Sequence, residues 1–184
     1  EPNRLMGGAQ GQTADLIADQ GPGQETLVFH TWPTWSPDGQ KLAVSRMTVR
    51  GADSFSAEVY SITIGSQATR LYQDPPGVIP LIADDTPHYM YWSPDSRHLS
   101  YMASEPIGLM LFLDDVTDEQ PGTVVVRNSP LYASWSSDSK SLMVHSGAAH
   151  VLVDSADRQK IVEKVVAADG YRTPAWWPLS NKKI

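Results

Sequence analysis

The stretch Trp35-Ser36-Pro37-Asp38-Gly39 places a bulky aromatic residue directly before four residues that favour a tight turn. Proline presets φ at the second turn position, aspartate suits the third, and glycine accepts a positive φ at the fourth. The stretch therefore predicts a β-strand that ends at Trp35, a tight turn, and a second strand that starts at Lys41.

This motif recurs along the chain. Related stretches occupy Tyr89–Ser96, Tyr132–Ser139 and Thr173–Ser180, and their tryptophans align with Trp35 at successive intervals of 57, 43 and 41 residues. An interval in the low forties is typical of a four-stranded propeller blade of about 40–50 residues. The aligned tryptophans are Trp35, Trp92, Trp135 and Trp176.

Each motif is followed by stretches in which apolar and polar residues alternate with a period of two, as half-buried strands do. We expect three further strands after each motif strand. The second strands start at Lys41, Arg97 and Lys140; the third cover Glu58–Ile64, Gly108–Leu113 and His150–Val153; the fourth cover Ala68–Tyr72, Thr123–Arg127 and Gln159–Val165. The stretches Arg50–Ala57 and Asp74–Pro87 are rich in turn-forming residues, and we expect them to be the loops that lengthen the first interval.

The repeat predicts one all-β domain over residues 1–184, a β-propeller of four-stranded antiparallel blades with about four blade equivalents. Glu25–His30 is interpreted as the fourth strand of an incomplete first blade. The predicted units are the end of one blade over 1–30, blades over about 31–73, 88–128 and 131–166, and the start of another over 172–184. A four-bladed ring, a ring shared by two chains and part of a larger ring remain open, and the last is favoured.

Composition narrows the classes of function. The 184 residues include 14 Lys and Arg against 21 Asp and Glu, a net charge of -7, which disfavours a nucleic-acid partner. The absence of cysteine excludes a disulfide framework, a thiolate nucleophile and a cysteine zinc site. No apolar run reaches the roughly 18 residues of a membrane-spanning helix, so no membrane insertion is expected.

The motif resembles the TolB-type, WD-repeat-like β-propeller family, whose hallmark is W-S-P-D-G followed by a charged residue and an alternating strand. The second copy departs from the hallmark at its glycine, the third also lacks the proline, and the fourth keeps only tryptophan and proline. The residues that match, which we interpret as structural, are Trp35, Pro37, Asp38, Gly39, Trp92, Pro94, Asp95, Trp135, Asp138 and Trp176.

The resemblance implies a non-catalytic module that binds or scaffolds a protein or peptide in the periplasm or outside the cell. The alternative is the gating propeller of a prolyl-oligopeptidase-type serine peptidase. The 184 residues contain no G-x-S-x-G nucleophile motif, so in that case the catalytic domain would lie outside this sequence. We therefore expect no enzymatic activity and no cofactor. The strand edges of an incomplete ring could also pair with a second copy of the chain.

The connections between a fourth strand and the next first strand would lie at one mouth of a propeller channel, and such loops often carry function. Large aromatic residues and arginine, which dominate binding hot spots, are present in these connections. The alternative is that these residues cap strand ends and fill the channel. The candidate binding residues are His30, Trp32, Asp85, His88, Tyr89, Tyr132, Tyr171 and Arg172.

Two other clusters could suggest metal binding, but the sequence favours a structural interpretation of both. His145 and His150 flank a turn-like segment without the short fixed spacing of a zinc motif, so we interpret them as ordinary strand-end residues. The acidic stretch 114–119 lacks the spaced carboxylates of a calcium loop and is interpreted as a solvated turn. No metal site is predicted.

Overall fold

The computed structural model describes residues 26–50, 54–73, 89–105, 108–118, 120, 122–128, 131–158, 161–167 and 176. Over these ranges the chain forms twelve β-strands and no helix. The strands are β1 Thr26–Trp35, β2 Lys41–Arg50, β3 Ser54–Thr63, β4 Ala68–Gln73, β5 Tyr91–Trp92, β6 His98–Glu105, β7 Gly108–Asp115, β8 Thr123–Asn128, β9 Leu131–Trp135, β10 Ser141–Ser146, β11 Ala149–Asp154 and β12 Ile161–Ala167.

The strands form three antiparallel sheets of four strands each. Sheet 1 contains β1 to β4, sheet 2 contains β5 to β8 and sheet 3 contains β9 to β12, and each follows chain order across the sheet. A motif tryptophan ends the first strand of every sheet. The predicted all-β class is thus confirmed.

The first strand differs from its prediction. Glu25–His30 was expected to end a preceding blade, but Thr26–Trp35 is one strand that pairs with β2 from end to end. A register shift between Thr31 and Thr34 accommodates Pro33, which has no N–H to donate to a sheet. The predicted boundary after residue 30 is therefore wrong, because the irregular position lies inside the strand.

The predicted loop Arg50–Ala57 is also largely strand. β3 begins at Ser54, and Ser54 pairs with Arg50 at the end of β2. β2 and β3 each contain 10 residues, whereas the corresponding β10 and β11 contain 6. At about 3.3 Å per residue, sheet 1 extends roughly 13 Å further than sheet 3 on the side of this hairpin. Added strand length thus explains part of the longer first interval.

Sheet 2 lies between the other two sheets and is buried on both faces. Leu99 and Tyr101 of β6 pack with Ala43 and Val59 of sheet 1. On the opposite face, Met102 joins a cluster with residues of sheet 3. This stacking buries successive residues of one strand, so a simple alternation of exposed and buried positions no longer holds.

Candidate functional site

The motif turns have the same internal hydrogen bonds in all three sheets. In the first turn the Ser36 hydroxyl donates to Asp38 Oδ1 at 2.6 Å, and the Gln40 N–H donates to the same oxygen at 2.9 Å. Equivalent bonds hold Asp95 and Asp138. The hydrogen bond from the serine hydroxyl, followed by that from the backbone, lowers the pKa of Asp38. These carboxylates are engaged by their own turns.

Each motif tryptophan after the first forms a hydrogen bond with the first strand of the preceding sheet. The indole N–H donates to the backbone carbonyl of the residue just before the preceding motif tryptophan. The pairs are Trp92 to Thr34 at 2.8 Å, Trp135 to Tyr91 at 3.1 Å and Trp176 to Ser134 at 2.8 Å. One bond type therefore positions successive first strands in the same way.

A second bond between sheets explains why serine replaces glycine in two motifs. The Asp38 N–H donates to Ser96 Oγ at 3.0 Å, and the Asp95 N–H donates to Ser139 Oγ at 2.9 Å. Both serines have a positive φ, 62° and 63°, close to the 69° of Gly39 at the equivalent position. The hydroxyl thus offsets part of the backbone strain of about 1–3 kcal/mol that a non-glycine residue has at this φ.

Trp35, the first motif tryptophan, has a different environment. Its side chain is 45% exposed, whereas Trp92 is 7% exposed beneath sheet 1. Among the described residues, none accepts a hydrogen bond from the Trp35 indole. Leu42 and Val44 on the same face form a cluster to which neither of the other two sheets contributes. This face of sheet 1 is equivalent to the faces through which sheets 2 and 3 contact a preceding sheet.

Three of the candidate binding residues occupy the same place in successive units. Trp32, Tyr89 and Tyr132 each lie three residues before a motif tryptophan, at or just before the first strand, and we call them the aromatic rim. The Tyr89 side chain is 37% exposed and that of Tyr132 is 36% exposed. Because consecutive first strands adjoin one another, the structure brings the rim positions to neighbouring strands.

Another tyrosine missed by the sequence analysis adjoins the rim. Tyr91 is 44% exposed although its backbone carbonyl is bound by Trp135. Partial burial, and then the nearby Tyr89, raise the pKa of Tyr91, so it is neutral and able to donate a hydrogen bond at neutral pH. The run Y-M-Y before Trp92 was the available signal, since both tyrosines fall outside the apolar core pattern.

Of the remaining candidate residues, His30 alone lies in the described part of the chain. His30 lies within β1 opposite Arg46, rather than in a connection between units, because β1 continues through it. Partial burial and the positive charge of Arg46 lower the pKa of His30. Asp85, His88, Tyr171 and Arg172 lie outside the described residues.

The acidic stretch is not the solvated turn that was predicted, because Asp114 and Asp115 end strand β7 and are both buried. They project from opposite faces of sheet 2, so their carboxylates cannot bind one ion together. Arg97 donates two hydrogen bonds to Asp115, at 2.6 and 2.8 Å. Burial opposes ionisation, but the bonds from Arg97 and Thr117 hold the pKa of Asp115 far below its usual range.

Asp114 has the opposite electrostatic environment. Its side chain is 1% exposed, and its Oδ2 atom has no hydrogen-bond partner among the residues that the structure describes. Burial, reinforced by the charge of Asp118, raises the pKa of Asp114 to about 7. Two neighbouring carboxyl groups therefore titrate in different pH ranges because they face different sheets.

Within the described ranges, no group of three or more histidine, aspartate or glutamate side chains is placed to hold a metal ion. Within the same ranges, no helix is long and apolar enough to cross a membrane.

Comparison with known proteins gives a distant likeness to a solved structure. No family model matches the chain, and no curated protein matches it. A solved structure from Agrobacterium tumefaciens, assigned as TolB, is 14% identical over 76% of this chain and 53% of that chain, with a TM-score of 0.40. This chain therefore spans about half the length of that structure. Membership of the TolB-type family stays a prediction of the motif.

Proposed function

We propose that this chain is part of a β-propeller and acts as a non-catalytic module that binds a protein or peptide partner. Each four-stranded sheet is one blade in this proposal. The repeated bond from a motif tryptophan to the preceding first strand supports it, since equivalent contacts between equivalent units generate rotation about a common axis. The described sheets represent three blades, and Trp176 begins the next.

The aromatic rim carries the functional part of the proposal. First strands surround the central channel of a propeller, so residues at equivalent positions just before or within them line one mouth. Tyrosine provides a large contact area with few rotatable bonds and a hydroxyl for hydrogen bonding, and it is enriched in binding hot spots. Tyr89 and Tyr132 leave more than a third of their surface free for such contact.

The net charge of the chain narrows the chemical class of the expected partner. With a net charge of -7, the protein favours neutral or basic protein segments and repels a phosphate backbone. A periplasmic or extracellular location stays a prediction of the motif resemblance. Pairing with a second copy of the chain stays a prediction from the strand edges of an incomplete ring.

The test is selection of peptides from a random 12-residue phage-display library, followed by calorimetric titration of selected peptides. We expect Tyr89→Ala and Tyr132→Ala each to weaken binding by about 10- to 30-fold, the effect of losing a hot-spot residue of about 1.4–2 kcal/mol. Ile64→Ala is the matched control, because Ile64 is 52% exposed at a turn between β3 and β4, at the opposite end of its sheet. Failure to select any peptide whose binding depends on these tyrosines would contradict the proposal.

A further inference from the structure

Two histidines lie side by side on the face of sheet 3 that is turned away from sheet 2. His145 of β10 and His150 of β11 are directly opposite each other. Val144 and Val151, the adjacent residues of the two strands, belong to the core between sheets 2 and 3. Alternation therefore places both imidazoles on the other face. A tight turn in which Gly147 has a φ of 62° fixes this register.

The two imidazole rings are close together, and both are at least partly buried. Their centres are 5.1 Å apart and their planes are inclined by 65°. The His145 side chain is only 3% exposed. The Nε2 atom of His150 is buried and has no hydrogen-bond partner in the described part of the chain. A buried polar atom left in this state destabilises the fold, and a bound water or ion commonly accounts for it.

The separation of the rings suits a shared metal ion. Zinc binds histidine nitrogen at about 2.0–2.1 Å, so two imidazoles in a tetrahedral arrangement have ring centres about 5.2 Å apart. Zinc, nickel and copper ions all favour imidazole ligands. Edge-to-face ring packing alone would explain the inclination of the planes but would leave His150 Nε2 without a partner.

We propose that His145 and His150 together bind one divalent transition-metal ion of the zinc or nickel class. No third histidine or carboxylate among the described residues joins them, so water molecules bound to the ion would supply the remaining ligands. The Tyr132 ring is 5.9 Å from that of His145, which places the ion beside the aromatic rim. This proposal does not depend on peptide binding, since the geometry of the two histidines is sufficient for it.

The test is calorimetric titration of the full chain, first treated with EDTA, with ZnCl2 and with NiCl2. We expect binding to saturate at one ion per chain. His150→Asn and His145→Asn should each weaken binding by at least about tenfold. His30→Asn is the matched control, because His30 is a strand histidine of sheet 1, opposite Arg46 and outside the proposed pair, and its substitution should leave the affinity unchanged.

His145 is buried, so its substitution could unfold the chain; His150 is only partly buried, and His150→Gln provides a second variant. In a 15N spectrum of the wild-type protein, adding ZnCl2 should shift the ring nitrogens of both histidines. The proposal is overturned if the wild-type protein binds neither ion more tightly than the His150 variants do. It is also overturned if the 15N signals of the ring nitrogens of His145 and His150 do not shift. An equal loss of affinity in His30→Asn would also overturn it.

Discussion

Asp114 offers the sharpest test of how the sheets are stacked. Its carboxyl group is buried between sheets 1 and 2, where burial raises its pKa to about 7, well above the usual range of an aspartate. The folded state therefore binds a proton that the unfolded state releases near pH 4. Below about pH 4 the carboxyl group is neutral and does not destabilise the folded state. As the pH rises towards 7, its burial destabilises the folded state more and more. Asp114→Asn removes that cost.

A pKa difference of about 3 corresponds to roughly 4 kcal/mol once the pH exceeds both values. Between pH 5 and pH 8 the free-energy cost of burying the Asp114 carboxyl group is predicted to rise by about 2–3 kcal/mol. The stability advantage of Asp114→Asn over the wild type should therefore be about 2–3 kcal/mol greater at pH 8 than at pH 5. The amide retains an oxygen that can accept the hydrogen bond from the Gly122 N–H.

The assay is urea unfolding of both proteins at pH 5, 6, 7 and 8, with the difference between them as the result. Histidine titration contributes to both proteins alike and cancels in the difference. Asp157→Asn, in an exposed turn, is the control for the chemical change alone. A stability difference that is constant across this pH range would refute the burial of Asp114 between the sheets.

Three further variants test specific contacts by urea unfolding. Gly122→Ala should destabilise the fold by about 1–3 kcal/mol, because the added methyl group would lie 2.5 Å from the Tyr101 hydroxyl; a neutral effect would contradict this packing. Ser139→Ala should be less stable than Ser139→Gly by about 1 kcal/mol, because both variants lose the hydroxyl but only alanine keeps the strain of the positive φ. A Ser139→Gly variant less stable than Ser139→Ala would count against that backbone conformation. Arg97→Met should destabilise the protein at pH 7 and do so less at pH 3, because the depressed pKa of Asp115 contributes stability above about pH 4 that is lost on acidification; an equal loss at both pH values would argue against the ion pair.

The strands could be predicted from the sequence because their signals are local. The turn residues after Trp35 and the alternation of Leu42 to Ser45 lie within ten residues of each other. The continuity of β1 through Pro33 could not be predicted in this way. It depends on pairing with a long β2, and a proline next to a tryptophan motif more often marks the end of a strand.

The contacts between sheets account for the other differences. The hydroxyl of Ser96 is used by Asp38, 58 residues earlier, so the sequence showed only a departure from glycine. Asp114 and Asp115 looked like a solvated turn because nothing local indicates that sheets 1 and 3 cover them. At the rim, the aromatic residues stood out by type, but their equivalence depends on the register of neighbouring strands.

The joining of equivalent sheets in series depends on bonds from a tryptophan indole to a backbone carbonyl. Hydrogen exchange of the indole N–H groups, observed in 15N spectra and assigned by single Trp→Phe substitutions, tests it most directly. We predict slow exchange for Trp92, Trp135 and Trp176, and fast exchange for Trp35. Fast exchange at Trp92 and Trp135, or protection of Trp35 equal to theirs, would contradict it.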